Sequence, residues 1–534
     1  MHLQRIIKAA LLGASLTALA AYGASAKTLV YCSEGSPEGF DPALYTAGTT
    51  FDASSRSIYS GLVQFELGTT NVIPDLAESW EVSDDGLQYT FHLRPGVKFH
   101  TTDYFTPTRD MNADDIVFSF DRQLSTENPY HTYVEGAAWE YFNSMSMPDL
   151  IESIEKVDDM TVRFNLTRPE APFIANLAMD FAAILSKEYA DQLAEAGNQG
   201  NLNQQPVGTG PFQFVAYQPD AVIRYKAHPD YYPGKEAIDD LVFAITTDQA
   251  VRQQKLLAGE CHVMPYPNPA DIESLKANAD LKVMEQEGLN VGYLAYNTQQ
   301  EPFDNPQVRK ALNMAINKEA ILDAVFQGAG QTAKNPIPPT MWSYNDAVEE
   351  DPYDPEAARK MLEEAGVTDL TMNIWAMPVQ RPYNPNARRM AELIQSDFAD
   401  IGVESEIVSY EWGEYLERSK DVDRDGAVLL GWTGDNGDPD NFLAVLLGCD
   451  AVGNANRAQW CNEEFEGLIQ EAKTLGTQEE RAALYEEAQV VFKREAPWAT
   501  IAHSVVHMPM RANVTGYVMD PLGGHVFEGV DIEE

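Results

Sequence analysis

Positive charge is scarce in this 534-residue sequence: 37 lysines and arginines stand against 82 aspartates and glutamates, a formal net charge of −45. A phosphate backbone or an anionic lipid surface repels such a chain, which excludes a nucleic-acid reader and argues against docking on acidic membrane. Salt alone relieves self-repulsion of this size, screening charges beyond ~8–10 Å at ordinary ionic strength, so the sequence predicts an exported protein of a saline medium. Cysteines number four, none in a C-x-x-C pair, which removes the usual zinc spacing. No G-x-S-x-G, H-E-x-x-H or phosphate-loop motif occurs, so no catalytic machinery is expected and no cofactor is implied. Long apolar runs are also missing, and outside the Ala9 to Ala21 run no stretch approaches the ~18 residues of a membrane span. Hydrophobic residues at 44% and aromatics at 10% nevertheless exclude a disordered chain.

Met1 to Ala26 carries Arg5 and Lys8, then an apolar run from Ala9 to Ala21, then Ala24-Ser25-Ala26. This is the pattern of a secretory signal peptide cut after Ala26, leaving a mature chain that begins at Lys27. No cysteine follows the cut, so a lipid anchor is not expected. Export places Cys32, Cys261, Cys449 and Cys461 in an oxidising compartment, where four cysteines admit three pairings. The short polar loop between Cys449 and Cys461 favours a local bridge, which leaves Cys32 with Cys261.

Strand and helix patterns alternate along the chain, which argues α/β architecture. Lys27 to Cys32 reads as a strand, and Leu76 to His100 as a hairpin turning at Asp85-Gly86. Glu152 to Leu166 returns to strand character around a turn at Lys156 to Asp159. Helices are read after Asn112, from Asp248 to Gly259, from Pro306 to Gln327, from Asp354 to Ala365 and from Asn386 to a stop at Gly402. Gly208-Thr209-Gly210-Pro211 lacks the third glycine of a dinucleotide loop and reads as a structural turn. No internal repeat and no Gly/Ser-rich linker appears.

Two stretches carry complementary charge. Gly431-Trp432-Thr433-Gly434-Asp435-Asn436-Gly437-Asp438-Pro439-Asp440-Asn441 follows the buried strand Ala427 to Leu430 and reads as a turn that sets an aromatic plate beside a carboxylate. Trp375 to Asn386 contains three prolines that keep it extended until Ala387, so Arg381 projects from a stiff loop beside Tyr383. A guanidinium forks onto a carboxylate and a carboxylate clamps an ammonium, so Arg381 and Asp435 suit the two ends of a zwitterion such as a short peptide. Thr46, between a strand-end loop and a helical pattern, is a candidate contact or a helix cap. Asp421, Asp423 and Asp425 open like a calcium loop, but Trp432 stands where its bidentate Glu belongs, so an acidic turn is the expectation. His503 and His507 fall on a strand pattern, which parts them by ~13 Å and argues against a metal pair.

The Leu76 to His100 segment, L-A-E-S-W-E-V-S-D-D-G-L-Q-Y-T-F-H-L-R-P-G-V-K-F-H, resembles the signature of the family 5 extracellular solute-binding proteins. Lys27 to Phe40, Met264 to Ile272, Trp375 to Met390, Glu411 to Tyr415 and Gly431 to Phe442 extend the resemblance over the mature chain, toward the family's dipeptide-capturing branch. It implies a type II periplasmic binding fold, two lobes with mixed sheets joined by two hinge crossings. The first lobe would take 27–70, 206–287 and 501–534, an extra subdomain 71–205, and the second lobe 288–500. It implies that Asp435 holds a dipeptide's ammonium and Arg381 its carboxylate, with further contacts from Thr46, Pro382, Tyr383, Trp432, Thr433 and Gly434. It implies the same cysteine pairs, delivery to an inner-membrane ABC permease, a possible chemoreceptor partner and a monomer in the periplasm. An oligopeptide, haem or nickel on the same fold is the alternative.

Overall fold

In the computed structural model, which describes residues 26–136 and 139–533, the alternating pattern condenses into three principal sheets. The signal-peptide reading lies, but for Ala26, outside these residues. Thr28–Tyr31 runs parallel to Asp240–Ala244, which continues antiparallel through Val222–Ala227 to Phe212–Gln218. The turn before Phe212 is structural, as expected: a Cβ on Gly208 would stand 2.1 Å from the Ile58 carbonyl oxygen, so the glycine admits a close backbone approach.

A second, antiparallel sheet orders Ala77–Val82, Gln88–Leu93, Thr161–Leu166 and Ile151–Asp158. Its first hairpin turns at Asp85-Gly86, where Gly86 takes φ 69° and the Asp85 carboxylate accepts from Ser83 Oγ and the Leu87 N–H. Tyr89, Phe91 and Leu93 alternate into the core. The second hairpin turns later than the sequence predicts, because Lys156 and Asp158 still pair with Val162 and Thr161.

The third sheet has seven strands, in the order Leu281–Glu287, Trp498–Arg511, Asn290–Tyr296, Ala427–Thr433, Thr371–Trp375 and Glu404–Val408, with Gly330–Thr332 added on the long strand. Its middle is buried on both faces. Val291, Tyr293, Ala295, Val428 and Leu430 pack into one core, while Leu294, Tyr296, Ala427 and Leu429 pack into the other, the period-two division of a pleated strand covered on both sides.

Trp498–Arg511 belongs to both lobes. At ~3.3 Å per residue its 14 residues span roughly 45 Å. Its first part pairs with Asn290–Tyr296 and its last with Leu281–Glu287, so the chain crosses between lobes near Gly288 and again near Ser504. Asn290 braces the crossing: its Nδ2 donates to Ser504 Oγ at 2.8 Å, and its Oδ1 accepts from the Ser504 N–H at 3.0 Å.

Four of the five helices read from the sequence begin where expected: the Asn112, Asp248, Asp354 and Asn386 side chains each accept a first-turn N–H. The long helix expected from Pro306 to Gln327 is broken instead. Pro306–Ala315 ends, and the Asn317 side chain caps a new start at Lys318. Both disulfides join the expected partners, with Cα–Cα distances of 5.8 Å for Cys32–Cys261 and 4.6 Å for Cys449–Cys461.

Candidate ligand-binding site

The parallel strands Thr371–Trp375 and Ala427–Thr433 bring their carboxyl ends to one edge of the large sheet, where open α/β sheets present ligand-binding loops. The loop carrying Arg381 leaves the first strand and the turn carrying Asp435 leaves the second. Gly431, Trp432 and Thr433 are strand rather than turn, because they pair with Gly292, Val291 and Asn290. The turn therefore starts at Gly434, whose N–H still donates to the Leu289 carbonyl at 2.8 Å.

Glycines bring the two loops together. A Cβ on Gly431 would stand 2.2 Å from the Tyr383 ring, and one on Gly292 would stand 2.4 Å from the Tyr383 carbonyl oxygen. Tyr383 thus lies directly on the sheet, which no larger residue at either position permits. Arg381 and Asn384 close the loop on itself by exchanging N–H to carbonyl bonds of 3.1 and 3.0 Å, with Pro382 between Arg381 and Tyr383. The Arg381 guanidinium sits 5.0 Å from the centroid of Trp412, donates to the Gln380 carbonyl at 3.2 Å and reaches the Tyr383 hydroxyl. Among the described residues it makes no ion pair, so its charge is available.

Asp435 is held by Asn441, the second residue of helix Asp440–Leu447. Asn441 Oδ1 accepts from Trp432 Nε1 and from the Asp435 N–H, each at 2.9 Å, while its Nδ2 donates to the Asp435 carboxylate at 3.2 Å. The other carboxylate oxygen accepts from Tyr141 Oη at 2.7 Å, a contact made from the opposite lobe. Burial pushes the Asp435 carboxyl up to about 6, and Asp180 adds to the rise, against the opposing bonds from Tyr141 and Asn441 and the charge of Arg56. Tyr141 stacks on Phe181 with centroids 6.4 Å apart. Below it Arg56 joins Asp52 at 2.8 Å and Asp180 at 3.2 Å.

The lobes meet at further points on the same turn. Asn436 Nδ2 donates to Asn176 Oδ1 at 2.9 Å, and Lys473 lies 3.4 Å from Asp440 and 3.9 Å from Glu170 of the first lobe. Asp438 takes a bidentate pair of 2.7 Å bonds from Arg481, which fixes the turn on its own lobe.

Thr46 is exposed in the loop before helix Gly48–Ala53, whose cap is Ala47, so Thr46 does no capping. Sequence reasoning assigned no part to Tyr141, Asn441 or Trp412. Asn441 closes the acidic turn at the start of a helix, a position where an amide is well placed to bond the preceding turn; Tyr141 comes from a distant segment, and only folding brings it here.

Elsewhere, Asp425 accepts from Trp375 Nε1 at 3.1 Å and from Asn373, so its carboxylate serves the acidic turn. His503 and His507 lie on the long strand, with His503 Nδ1 2.7 Å from the Asn290 carbonyl oxygen and His507 Nε2 3.5 Å from Glu285. Among the described residues no group of three or more His, Cys, Asp or Glu is placed to hold a metal ion.

Residues 71–454 match the model of the bacterial extracellular solute-binding proteins, family 5. The chain is 58% identical over 525 residues to the dipeptide-binding protein of Escherichia coli K12, covering 98% of each. It is 51% identical over 514 residues to the heme-binding protein A of Haemophilus influenzae, covering 96% of this chain and 94% of that one. The crystal structure of a dipeptide-binding protein from Pseudoalteromonas sp. SM9913 in complex with Met-Leu superposes with TM-score 0.86 at 41% identity, covering 95% of this chain and all of the other.

Proposed function

The chain belongs to the family 5 bacterial extracellular solute-binding proteins, and on that premise we propose that it captures dipeptides outside the cytoplasmic membrane and delivers them to an ABC importer. It binds and carries; it is not an enzyme. The observation that carries this reading is the placing of opposite charges at one sheet edge: Arg381, which makes no ion pair among the described residues, and the Asp435 carboxylate stand on neighbouring loops linked through Tyr383 and Gly431. In this reading Asp435 takes the ligand's ammonium and Arg381 its carboxylate. Trp432, Thr433, Gly434, Pro382 and Tyr383 line the space between, and Thr46 approaches from the first lobe.

Selectivity for length follows from two charges at fixed separation. Each charge-assisted contact contributes ~1.5–3 kcal/mol, a large share of the ~8 kcal/mol that micromolar affinity requires. Side chains enter this balance little, so sequence tolerance is broad. Closure follows from Tyr141, Asn176 and Glu170, which reach the Asp435 turn and its neighbours only when the lobes meet; a ligand favours the closed state by whatever it gains there and not in the open one. The first lobe takes 27–70, 206–287 and 501–534, the subdomain 71–205 supplies Tyr141, and the crossings near Gly288 and Ser504 act as hinges.

Export rests on the residues up to Ala26. The Lys27 N–H already donates to Asp239 at 3.1 Å, so cleavage after Ala26 turns that nitrogen into an ammonium facing a carboxylate. The protein then acts as a periplasmic monomer, and a chemoreceptor is a second partner for its closed form. The haem-binding relative keeps one other reading in view, but a clamp of one cation and one anion suits a peptide's termini better than a porphyrin.

Calorimetric titration of ligand-free protein with a dipeptide, its tripeptide extension and its N-acetylated form tests the proposal. Tight binding of the free dipeptide alone is expected. Equal binding of all three, or displacement of a bound haem by none of them, refutes it.

A further inference from the structure

Away from the clamp, one short segment of the first lobe makes a row of contacts to the second. The Ala171 N–H donates to the Lys473 carbonyl at 2.8 Å, Glu170 lies 3.9 Å from the Lys473 ammonium, and Asn176 meets Asn436. Tyr89 Oη donates to the Glu170 carbonyl at 3.2 Å, which ties the segment to the subdomain sheet.

Lys473 receives this segment in the last turn of helix Glu463–Thr474. A last-turn carbonyl has no partner inside its own helix, so the Ala171 bond caps the helix from the other lobe, and does so only when the lobes meet. The Lys473 ammonium also lies 3.4 Å from Asp440 of its own lobe, so it stands between two carboxylates, one from each lobe. Among the described residues it makes no hydrogen bond or ion pair with Asp435 or Arg381.

Both carboxylates depend on it. Glu170 Oε2 and Asp440 Oδ1 are buried and accept no hydrogen bond among the described residues. The neighbouring cations are engaged or exposed: Arg481 is committed bidentately to Asp438, and the Arg168 side chain, 3.5 Å from Glu170, is 45% exposed. Without Lys473, closure would set the Glu170 carboxylate against Asp440 with no shared cation. A buried carboxylate left without its cation is costlier than a neutral group in its place.

We infer that Lys473 is a positioning residue for the closed state: it touches no ligand, latches the lobes by sharing one ammonium between Glu170 and Asp440, and sets how long the closed protein holds its ligand. The inference rests on the closure proposed above. Asp440 stands beside Lys473 on one lobe in either arrangement, and only the Glu170 contact and the Ala171 bond are gained on closing. The latch therefore acts on release rather than on encounter.

The test chases a radiolabelled dipeptide off the protein with excess unlabelled dipeptide at pH 8, where Glu170, its carboxyl pushed up to about 7 by burial, is mostly ionised. Lys473→Met is expected to release at least ~10-fold faster than wild type, and Lys473→Arg at nearly the wild-type rate. Adding Glu170→Gln to Lys473→Met removes the uncompensated charge and is expected to recover most of the loss. A lysine that only steadied its own lobe would not be rescued from the other one. Hydrogen exchange of the Ala171 amide, followed with and without dipeptide, reads the contact itself and should be faster in Lys473→Met. Should Lys473→Met fail to fold, Glu170→Lys sets like charges across the boundary and should speed both release and exchange. Release within twofold of wild type, no recovery in the double variant, or equal Ala171 exchange in wild type and variant overturns the inference. If no dipeptide binds at all, the clamp has failed, and amide exchange still decides the latch by itself.

Discussion

Replacing Asp435 by Asn separates charge from shape. The amide keeps the volume and one acceptor for Tyr141 or Asn441, and it loses the charge proposed to hold an ammonium. Removing one charge-assisted contact costs ~1.5–3 kcal/mol, so dipeptide affinity at pH 7.5 should fall ~10- to 150-fold. The free protein should respond in the opposite sense. Burial raises this carboxyl from 3.8 to about 6, and a group whose folded pKa lies above its unfolded one supports folding below the unfolded value and withdraws that support as pH rises through the folded value. Two units at ~1.4 kcal/mol each set an upper bound of ~3 kcal/mol, and the bond lost with the second acceptor reduces the net gain to ~1–2 kcal/mol. Ligand-free Asp435→Asn should therefore melt higher than wild type at pH 7.5 and lose that advantage near pH 4. Wild-type dipeptide affinity should decline as pH falls through about 6, while the variant's should not. Calorimetric titrations and thermal melts at the two pH values measure both effects. Asp435→Asn binding a dipeptide within twofold of wild type would refute the reasoning, whatever its melting temperature.

Other perturbations follow from the same structure. Arg381→Met should weaken a free dipeptide at least ~10-fold and leave the weak binding of its C-terminal amide unchanged; an equal loss for both ligands contradicts a carboxylate contact. Removing Cys32–Cys261, which spans 229 residues, should cost about 5 kcal/mol on the loop-closure estimate, against about 3 for Cys449–Cys461, which spans 12; denaturant melts of the two double-serine variants give the order. With a net charge of −45, the melting temperature should rise between low and molar NaCl as self-repulsion is screened, and a flat response would contradict a saline setting.

The sequence made the sheet edge legible because its signals are local. Three prolines stiffen the Arg381 loop, the Ala427 run is apolar, and the glycine-rich turn follows it at once. Helix caps were equally readable, since Asn112, Asp248, Asp354 and Asn386 act within one turn of themselves. What was not legible depends on contacts distant in the chain. Gly431 to Thr433 look like turn residues and are held as strand by Asn290, Val291 and Gly292. Tyr141 meets Asp435 across 294 positions, and no local pattern marks it. Asn317 interrupts a helix whose apolar spacing continues through it, because its side chain caps the next turn. Thr46 resembles a cap by composition, yet Ala47 occupies the cap position.

The clamp is tested most directly by a crystal structure of the protein with a bound dipeptide. The account predicts the ligand ammonium within ~3 Å of the Asp435 carboxylate and the ligand carboxylate forked on Arg381, both at hydrogen-bonding distance. A dipeptide bound in the reverse sense, or held with neither terminus on these two side chains, would contradict it.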